Sequence, residues 1–396
     1  MTNNRPLRVA IVSNIYPPLI GGPASQAALF AEGFAEAGAT PLVLTYGSDG
    51  RRNGAVQYIR KDADRSLAGR VRRYFETLRR VSDHLTEFEP DLVLVQTSAG
   101  PLQTAAALVA RRLGVPSVLK IANDPLLDYE DARSRTQRTA LGRIRYQMGR
   151  AVKFATTAIT LRLHRQVWAT TDAFAHRMAR RYGIRQRRIL VAPNLFRLPE
   201  TALSRPERSR AEVELLFVGR LKPIKGVDIL IDALGGLRDL PWTLRIAGEG
   251  DAEYEGWLRR RAEAAGISDR LQWMGTLDGE NLDQAYRGAD LLVVPSRSEA
   301  FGNVIVEAMA HGVPVVATAV GGTPFLLEEG KAGCLVREVT PEGLGREIAG
   351  LIREPERRLQ LAETGPRRVR EFALQPGIER WLSYARAARS RAKTGL

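Results

Sequence analysis

The sequence has one cysteine, Cys334, and no hydrophobic run long enough to span a membrane. A single thiol excludes a disulfide framework and a cysteine metal cluster, and it is compatible with a reducing cytoplasm. The first residues lead directly into a predicted strand, so we expect no signal peptide. Low-complexity segments are also absent, and 396 residues suffice for two domains. We therefore expect a globular, two-domain, cytoplasmic protein.

Acidic residues are scarce in one region of the first half. Residues 133–188 contain 15 Lys and Arg but only one acid, Asp172, in a chain of net charge +15. Apolar residues recur there at every third or fourth position, which predicts one apolar stripe on a helix or helix pair of residues 132–167. The stripe consists of Leu141, Ile144, Met148, Val152, Ala155, Ile159, Leu163 and Val167.

Two interpretations of this basic region, residues 132–188, follow from its pattern. A helix with an apolar stripe and flanking arginines suits the interface of an anionic membrane. We therefore expect association with an anionic membrane surface through Arg133–Arg188, at the inner face of the plasma membrane. The alternative is that the stripe packs on its own domain and the arginines form a solvated face. No nucleic-acid module is recognisable, so we expect no nucleic-acid partner.

Strands and helices alternate along the first half. Residues 7–13 and 41–46 are predicted strands, separated by a helix that begins after the glycine pair Gly21-Gly22. A strand, a glycine-rich loop and a helix form the opening of a doubly wound α/β domain. Further strands are predicted at residues 91–95, 115–121, 168–170 and 188–192.

The second half repeats this alternation and adds charged residues to its loops. A strand at residues 213–218 runs into Gly219-Arg220, and Lys225-Gly226 precedes the next helix. An arginine fork and a lysine point charge can both bind a diphosphate. The next two strands end at Gly248 and Gly275, where glycine lets the backbone approach a ligand closely.

Two glutamates flank the start of an apolar helix near residue 303. Glu299 follows a buried strand and a turn, and Glu307 lies on the helix, with seven residues between the two glutamates. Two carboxylates at the mouth of a strand–loop–helix unit can accept hydrogen bonds from the two ends of a polyhydroxyl ligand. The helix start between them offers backbone N–H groups, which suit a phosphate.

This E-x7-E arrangement resembles the signature of the retaining glycosyltransferases of the GT-B fold, family 4. The resemblance implies an α/β protein of two Rossmann-like doubly wound domains facing a central cleft. Residues 1–197 would form the acceptor-binding domain and residues 198–375 the donor-binding domain. The last helix, residues 376–396, would cross back to the N-terminal domain.

The resemblance also implies a role for each matching residue. Glu299 would hold the hydroxyls of the donor sugar, Glu307 those of the ribose, and Arg220 and Lys225 would neutralise the leaving diphosphate. Gly22 would lie at the junction of sugar and phosphate. The remaining donor-binding positions implied are Gly248, Gly275, Phe301, Gly302, Asn303 and Val304.

The implied reaction transfers a sugar from a nucleoside diphosphate sugar, with UDP or GDP as the expected nucleotide, to a hydroxyl. We expect a lipid-linked or cell-envelope glycan as acceptor, with a soluble small molecule as the alternative. No cofactor or metal is expected, because Asp62 and Asp64 match a D-x-D motif in spacing only. Two further alternatives are a phosphorylase or epimerase of the same fold and a non-catalytic relative that binds a glycan or nucleotide.

One loop departs from the family pattern. Many members carry a histidine near the end of the strand at residues 115–121, whereas this chain has Asn123-Asp124. Either side chain could bond a sugar hydroxyl, and Asp124 could orient or deprotonate an acceptor. The alternative is a helix cap or turn before Pro125.

Overall fold

The computed structural model describes residues 5–19, 21–47, 52–60, 66–96, 100–122, 124–126, 140–198 and 212–394. The chain forms two compact units. The first consists of residues 1–197 together with residues 372–396, and the second of residues 198–371. The chain therefore returns to its first unit for the last 25 residues, from Phe372 to Leu396.

The first unit is built on an eight-stranded sheet of order β3-β4-β2-β1-β5-β6-β7-β8. All pairings are parallel except that of β3 with β4. The strands are β1 (Arg8–Val12), β2 (Thr40–Gly47), β3 (Arg52–Asn53), β4 (Val56–Arg60), β5 (Leu92–Gln96), β6 (Ser117–Ile121), β7 (Gln166–Ala169) and β8 (Ile189–Val191). The helices of its N-terminal segment are α1 (Gly22–Glu36), α2 (Leu67–Phe88), α3 (Pro101–Arg112), α4 (Ala140–Leu163) and α5 (Asp172–Tyr182).

Alternate residues of the central strands enter two separate cores. Ala10 and Val12 of β1 pack in the core that contains α2, α3, α4 and α5, whereas Val9 and Ile11 pack with α1 and the last helix. This is the period of two expected for strands covered on both faces. The last helix, α13 (Leu374–Thr394), places Trp381 in a stack on Trp168 of β7, with ring centroids 3.8 Å apart.

The second unit is built on a six-stranded sheet of order β11-β10-β9-β12-β13-β14, with every pairing parallel. The strands are β9 (Val213–Val218), β10 (Trp242–Ala247), β11 (Leu271–Gly275), β12 (Leu291–Val294), β13 (Val315–Thr318) and β14 (Cys334–Val336). The helices are α6 (Val227–Gly235), α7 (Ala252–Ala264), α8 (Gly279–Gly288), α9 (Asn303–Ala310), α10 (Thr323–Leu326), α11 (Pro341–Arg353) and α12 (Pro355–Val369).

The expected α/β fold of two doubly wound domains with a returning C-terminal helix is confirmed. Two local expectations are wrong. Val167 lies in strand β7 rather than on the preceding helix, which ends at Leu163. The last helix begins at Leu374 rather than at residue 376, and Pro376 lies in its first turn, where a missing N–H costs little. The predicted positions Asp62, Asp64 and Asn123, and residues 132–139 of the predicted helix, lie outside the described residues.

Four large side chains of the predicted apolar stripe on α4 face solvent. Ile144, Met148, Val152 and Ile159 are between 55% and 65% exposed. At 100° per residue, the buried Thr157 and the other packing residues of α4 lie on the opposite side of the helix. The alternative in which the stripe packs on its own domain is therefore wrong for these side chains. No helix among the described residues combines the length and apolar character that crossing a membrane requires.

Candidate active site

The sheet of the second unit changes direction between β9 and β12. From β9 the chain first builds outward through β10 and β11, and it then returns to the other side of β9 with β12. In a doubly wound sheet, the loops at the carboxyl ends of such neighbouring strands diverge and leave a crevice for ligands. The loops that follow β9 and β12 carry Arg220, Lys225 and Glu299, so the fold brings the predicted residues to this crevice.

Lys225 and Glu299 form an ion pair at the crevice. Lys225 ends a short 3-10 turn before α6, and its Nζ donates to Oε2 of Glu299 at 2.6 Å. The side chains are 25% and 11% exposed, respectively. The Ser296 hydroxyl donates to the same carboxylate oxygen at 3.3 Å. A cation and a carboxylate of the predicted donor site are thus in direct contact.

Glycines let the loops at this edge of the sheet approach each other. A Cβ on Gly226 would lie 2.0 Å from the Pro295 carbonyl oxygen, and a Cβ on Gly321 would lie 1.5 Å from that of Glu299. Both glycines have a positive φ, which other residues adopt at a cost. The turn that carries Glu299 is therefore fixed on two sides by backbone that only glycine can supply.

The start of α9 provides a further polar group. Gly302 precedes the helix with φ of 100°, Asn303 and Val304 begin it, and no side chain caps it. Uncapped helix N-termini attract anions through their first N–H groups and the helix dipole. Phe301 is buried and anchors the preceding turn, so it serves the site through packing.

Glu307 lies on α9 and is held by a tyrosine. The Tyr286 hydroxyl donates to Oε2 of Glu307 at 2.8 Å. Burial raises the pKa of Glu307 above its ordinary value, although this hydrogen bond acts in the opposite direction. The Tyr286 ring stacks on His311 with centroids 5.3 Å apart, and His311 Nε2 lies 3.4 Å from Oδ1 of Asp283. The carboxylate is therefore fixed in one orientation by a packed side chain.

The remaining predicted donor positions occupy loops and one helix start. The Gly248 N–H donates to the Gly275 carbonyl at 2.7 Å, and a Cβ on Gly248 would lie 1.9 Å from the Gly219 carbonyl oxygen. The Arg220 side chain is exposed, and none of the described residues pairs with it. Gly22 is the first residue of α1, in the other unit.

Asp124 is fully engaged within the first unit. Its carboxylate accepts hydrogen bonds from Arg181 at 2.6 Å, from the Tyr182 hydroxyl at 2.8 Å and from the Leu126 N–H at 3.0 Å. The side chain is 1% exposed. The Leu126 contact is that of the cap or turn alternative, the other two are tertiary contacts, and a carboxylate so occupied is poorly placed to take a proton from an acceptor. We therefore do not assign Asp124 to the acceptor.

Three residues of this site were not identified from the sequence: Arg297, Asp228 and Tyr286. Arg297 and Asp228 form a bidentate pair across 69 positions, with N–O distances of 2.8 and 2.6 Å. Nothing in the local pattern marks such a partner. Tyr286 lies near the end of a polar helix. A single aromatic residue with a hydroxyl group in such a helix was the one sign in the sequence of a bond to a buried polar group. Among the described residues, no group of three metal-ligating side chains converges.

Two family models match the chain and together cover most of it. The model of glycosyl transferases group 1 matches residues 202–368, and the model of the glycosyl transferase 4-like domain matches residues 21–195. The first match contains every predicted donor residue of the second unit.

Curated relatives are similar over part of their length. A D-inositol 3-phosphate glycosyltransferase of Segniliparus rotundus is 33% identical over 231 residues, which cover 56% of this chain and 51% of the relative. One with the same name from Nocardiopsis dassonvillei is 29% identical over 306 residues, covering 72% and 67%. The chain thus spans about half the length of the first curated relatives that it matches.

Solved structures share the whole fold at low sequence identity. Sucrose-phosphate synthase from Thermosynechococcus elongatus has a TM-score of 0.75 at 20% identity, over 96% of this chain and 98% of its own. Anabaena HepE in complex with UDP has a TM-score of 0.73 at 19% identity, over 96% and 100%. These likenesses and the two family matches agree with the motifs at Glu299 and Glu307, and the chain belongs to the group 1, family 4 glycosyltransferases of the GT-B fold.

Proposed function

We propose that this protein transfers a sugar from a nucleoside diphosphate sugar to a hydroxyl acceptor, with retention at the anomeric carbon. The observation that carries the proposal is the Lys225–Glu299 pair at the switch point of the second sheet. It places a cation for the diphosphate and a carboxylate for the sugar hydroxyls side by side. The uncapped start of α9 adds N–H groups for the phosphates.

In the proposed reaction, each side chain acts on one part of the donor. Arg220 and Lys225 neutralise the charge that develops on the leaving diphosphate, and they do so without a metal ion. Glu299 accepts hydrogen bonds from the donor sugar, and Glu307, oriented by Tyr286, accepts those of the ribose. The leaving phosphate then takes the proton of the acceptor hydroxyl on the same face of the sugar.

A nucleotide panel tests the donor assignment. UDP, GDP, ADP and dTDP are added separately, and the melting temperature is recorded. A nucleotide present at 100 times its Kd stabilises the folded state by about 2.7 kcal/mol, so the cognate base stands out. UDP is the first candidate, because HepE was solved with UDP and with UDP-glucose. If no nucleoside diphosphate raises the melting temperature, the donor assignment is wrong.

We further propose that the acceptor is presented at an anionic membrane, as a lipid-linked or cell-envelope glycan. The support is the α4 surface, which we define as the exposed apolar residues Ile144, Met148, Val152 and Ile159 with the cations of the same helix. Helix α4 carries five cations and no acid. An exposed apolar stripe flanked by arginines buries its side chains in the acyl boundary and places its charges on anionic headgroups.

Vesicle flotation tests the α4 surface. The wild type should float with vesicles that contain an anionic lipid at physiological salt and not with purely zwitterionic vesicles. Met148→Ser with Val152→Ser should abolish flotation, because the apolar area is lost while every charge remains. Leu359→Ser is the control, since Leu359 is an exposed apolar residue of the second unit, 44% exposed. Flotation that survives the double substitution contradicts the proposal.

A soluble small-molecule acceptor is the second candidate. It is favoured by the names of the curated relatives, D-inositol 3-phosphate glycosyltransferases. A sugar transfer assay with inositol phosphate and with a lipid-extract acceptor, each with the cognate donor, separates the two. Transfer to the soluble acceptor at the same rate in wild type and in the α4 double variant would favour this candidate.

A further inference from the structure

Arg297 fastens the turn that carries Glu299 to the turn that carries Lys225. Its backbone N–H donates to the Ile224 carbonyl at 2.8 Å, and its Nη1 donates to the Pro223 carbonyl at 2.6 Å. Both carbonyls belong to the short 3-10 turn Pro223–Lys225. The backbone of the lysine turn is therefore bonded to a residue of the loop that follows β12.

The guanidinium of Arg297 is itself fixed in place. Nη1 and Nη2 bond Oδ1 and Oδ2 of Asp228, in the first turn of α6, at 2.8 and 2.6 Å. Burial pushes the pKa of Asp228 up, but the hydrogen bonds and charge of Arg297 outweigh burial and leave this pKa below its ordinary value. Asp228 is thus ionised at neutral pH, and a bidentate pair defines the orientation of the fork.

The direct Lys225–Glu299 ion pair cannot hold the two turns together during catalysis. In the proposed reaction, the lysine amine binds the diphosphate and the carboxylate binds the donor sugar. Both members of the pair then have other partners. The contacts of Arg297 involve two backbone carbonyls and Asp228, none of which has a role in binding the donor, so these contacts persist when the donor is bound.

We propose, on the basis of the proposed function, that Arg297 is a positioning residue for Lys225. It holds the lysine turn against the loop after β12, so that the amine stays at the diphosphate after the sugar has taken Glu299. Arg297 does not touch the donor. Its effect on nucleotide binding is therefore exerted through the lysine and depends on the presence of the lysine.

A double-mutant cycle tests this dependence. The Kd of the cognate nucleoside diphosphate is measured by calorimetry for the wild type, Arg297→Ala, Lys225→Ala and the double variant. Arg297→Ala should weaken binding about tenfold when the lysine is present, since charge-assisted hydrogen bonds are lost. It should weaken binding less than about twofold in the Lys225→Ala background, because the group that it positions is gone. Equal losses in both backgrounds, or no loss in either, overturn the proposal.

Arg346→Ala is the matched control. Arg346 of α11 forms an exposed ion pair with Glu338 in the same unit, with Nη2 3.3 Å from Oε2. Its removal should leave the Kd unchanged. Arg297→Lys should give an intermediate loss, because an ammonium group keeps the charge but lacks the planar fork that bonds the two oxygens of Asp228 in parallel. If the alanine variant does not fold, the same cycle is run with Arg297→Lys, and a loss of the same size with and without Lys225 overturns the proposal.

The outcomes separate this inference from the proposed function. If the wild type binds no nucleoside diphosphate, the donor assignment fails. If the wild type binds one and the loss caused by Arg297→Ala does not depend on Lys225, only the positioning role fails.

Discussion

Replacing Glu299 with glutamine should separate binding of the nucleotide from use of the sugar. In the structure, the Lys225 amine donates to Oε2 of Glu299 at 2.6 Å, so an incoming diphosphate has to compete with this carboxylate for the amine. Exposed ion pairs contribute about 0.2–1 kcal/mol, and this pair, with side chains 25% and 11% exposed, lies at the upper end. Release of about 1 kcal/mol corresponds to roughly fivefold tighter binding of the free nucleoside diphosphate.

The same change should lower turnover of the nucleoside diphosphate sugar, because a neutral amide is a weaker acceptor for sugar hydroxyls. Calorimetry with the free diphosphate and a coupled assay of diphosphate release measure the two effects. Glu255→Gln is the control, since it breaks an ion pair with Arg259 that lies within α7. The reasoning is refuted if Glu299→Gln weakens binding of the free diphosphate, since Glu299 would then support the nucleotide site rather than compete for it.

Three further predictions concern residues that support the site or the first domain. Tyr286→Phe removes the hydrogen bond that lowers the pKa of Glu307, so this pKa rises further. As the pH falls, Glu307 is then protonated earlier, and nucleotide binding is lost at a higher pH than in the wild type. A pH series of Kd values measures the shift. If the Kd rises at the same acidic pH in the variant and the wild type, the hydrogen bond between Tyr286 and Glu307 does not have the assigned effect. Gly321→Ala should lower the melting temperature and nucleotide affinity far more than Gly279→Ala, because both have positive φ but only Gly321 faces a carbonyl oxygen. Similar losses in both variants would count against the loop contact. Burial lowers the pKa of Lys120 to about 7 from 10.5, so the unfolded chain binds more protons between these values and stability rises with pH there. Lys120→Met should lack this rise, which denaturation at pH 7 and pH 9 reveals; an identical rise in both proteins would rule out Lys120 as its source.

Much of the donor domain could be predicted from the sequence. Parallel strands place their carboxyl ends at one edge, so a charged residue after β9 and another after β12 had to meet there. The contact between Lys225 and Glu299 bears out this reasoning. The roles assigned to both residues rest on the family resemblance and stay predictions until the variants are measured.

The rest depended on contacts that the sequence does not encode locally. Asp124 is engaged by Arg181, 57 positions later, which no spacing rule reveals. Periodicity identified the stripe of α4 but not the side that packs, because apart from Leu161 the packing side uses small and polar residues. Thr160, for example, meets Thr104 of α3 at 3.0 Å between the hydroxyls. The apolar side of α4 is exposed instead, whereas a helix of a globular domain usually buries its apolar side.

The central claim is that cations of the β9 loop neutralise a leaving diphosphate, and Arg220 tests it most directly. Its side chain is exposed and pairs with none of the described residues, so Arg220→Ala removes charge from the crevice without removing a structural contact. Arg260, an exposed arginine of α7, provides the matched control. The rate of diphosphate release from the cognate nucleoside diphosphate sugar should fall on the order of 100-fold in Arg220→Ala and stay at the wild-type value in Arg260→Ala. Equal rates in the two variants, or no diphosphate release by the wild type from any nucleoside diphosphate sugar, would contradict the account.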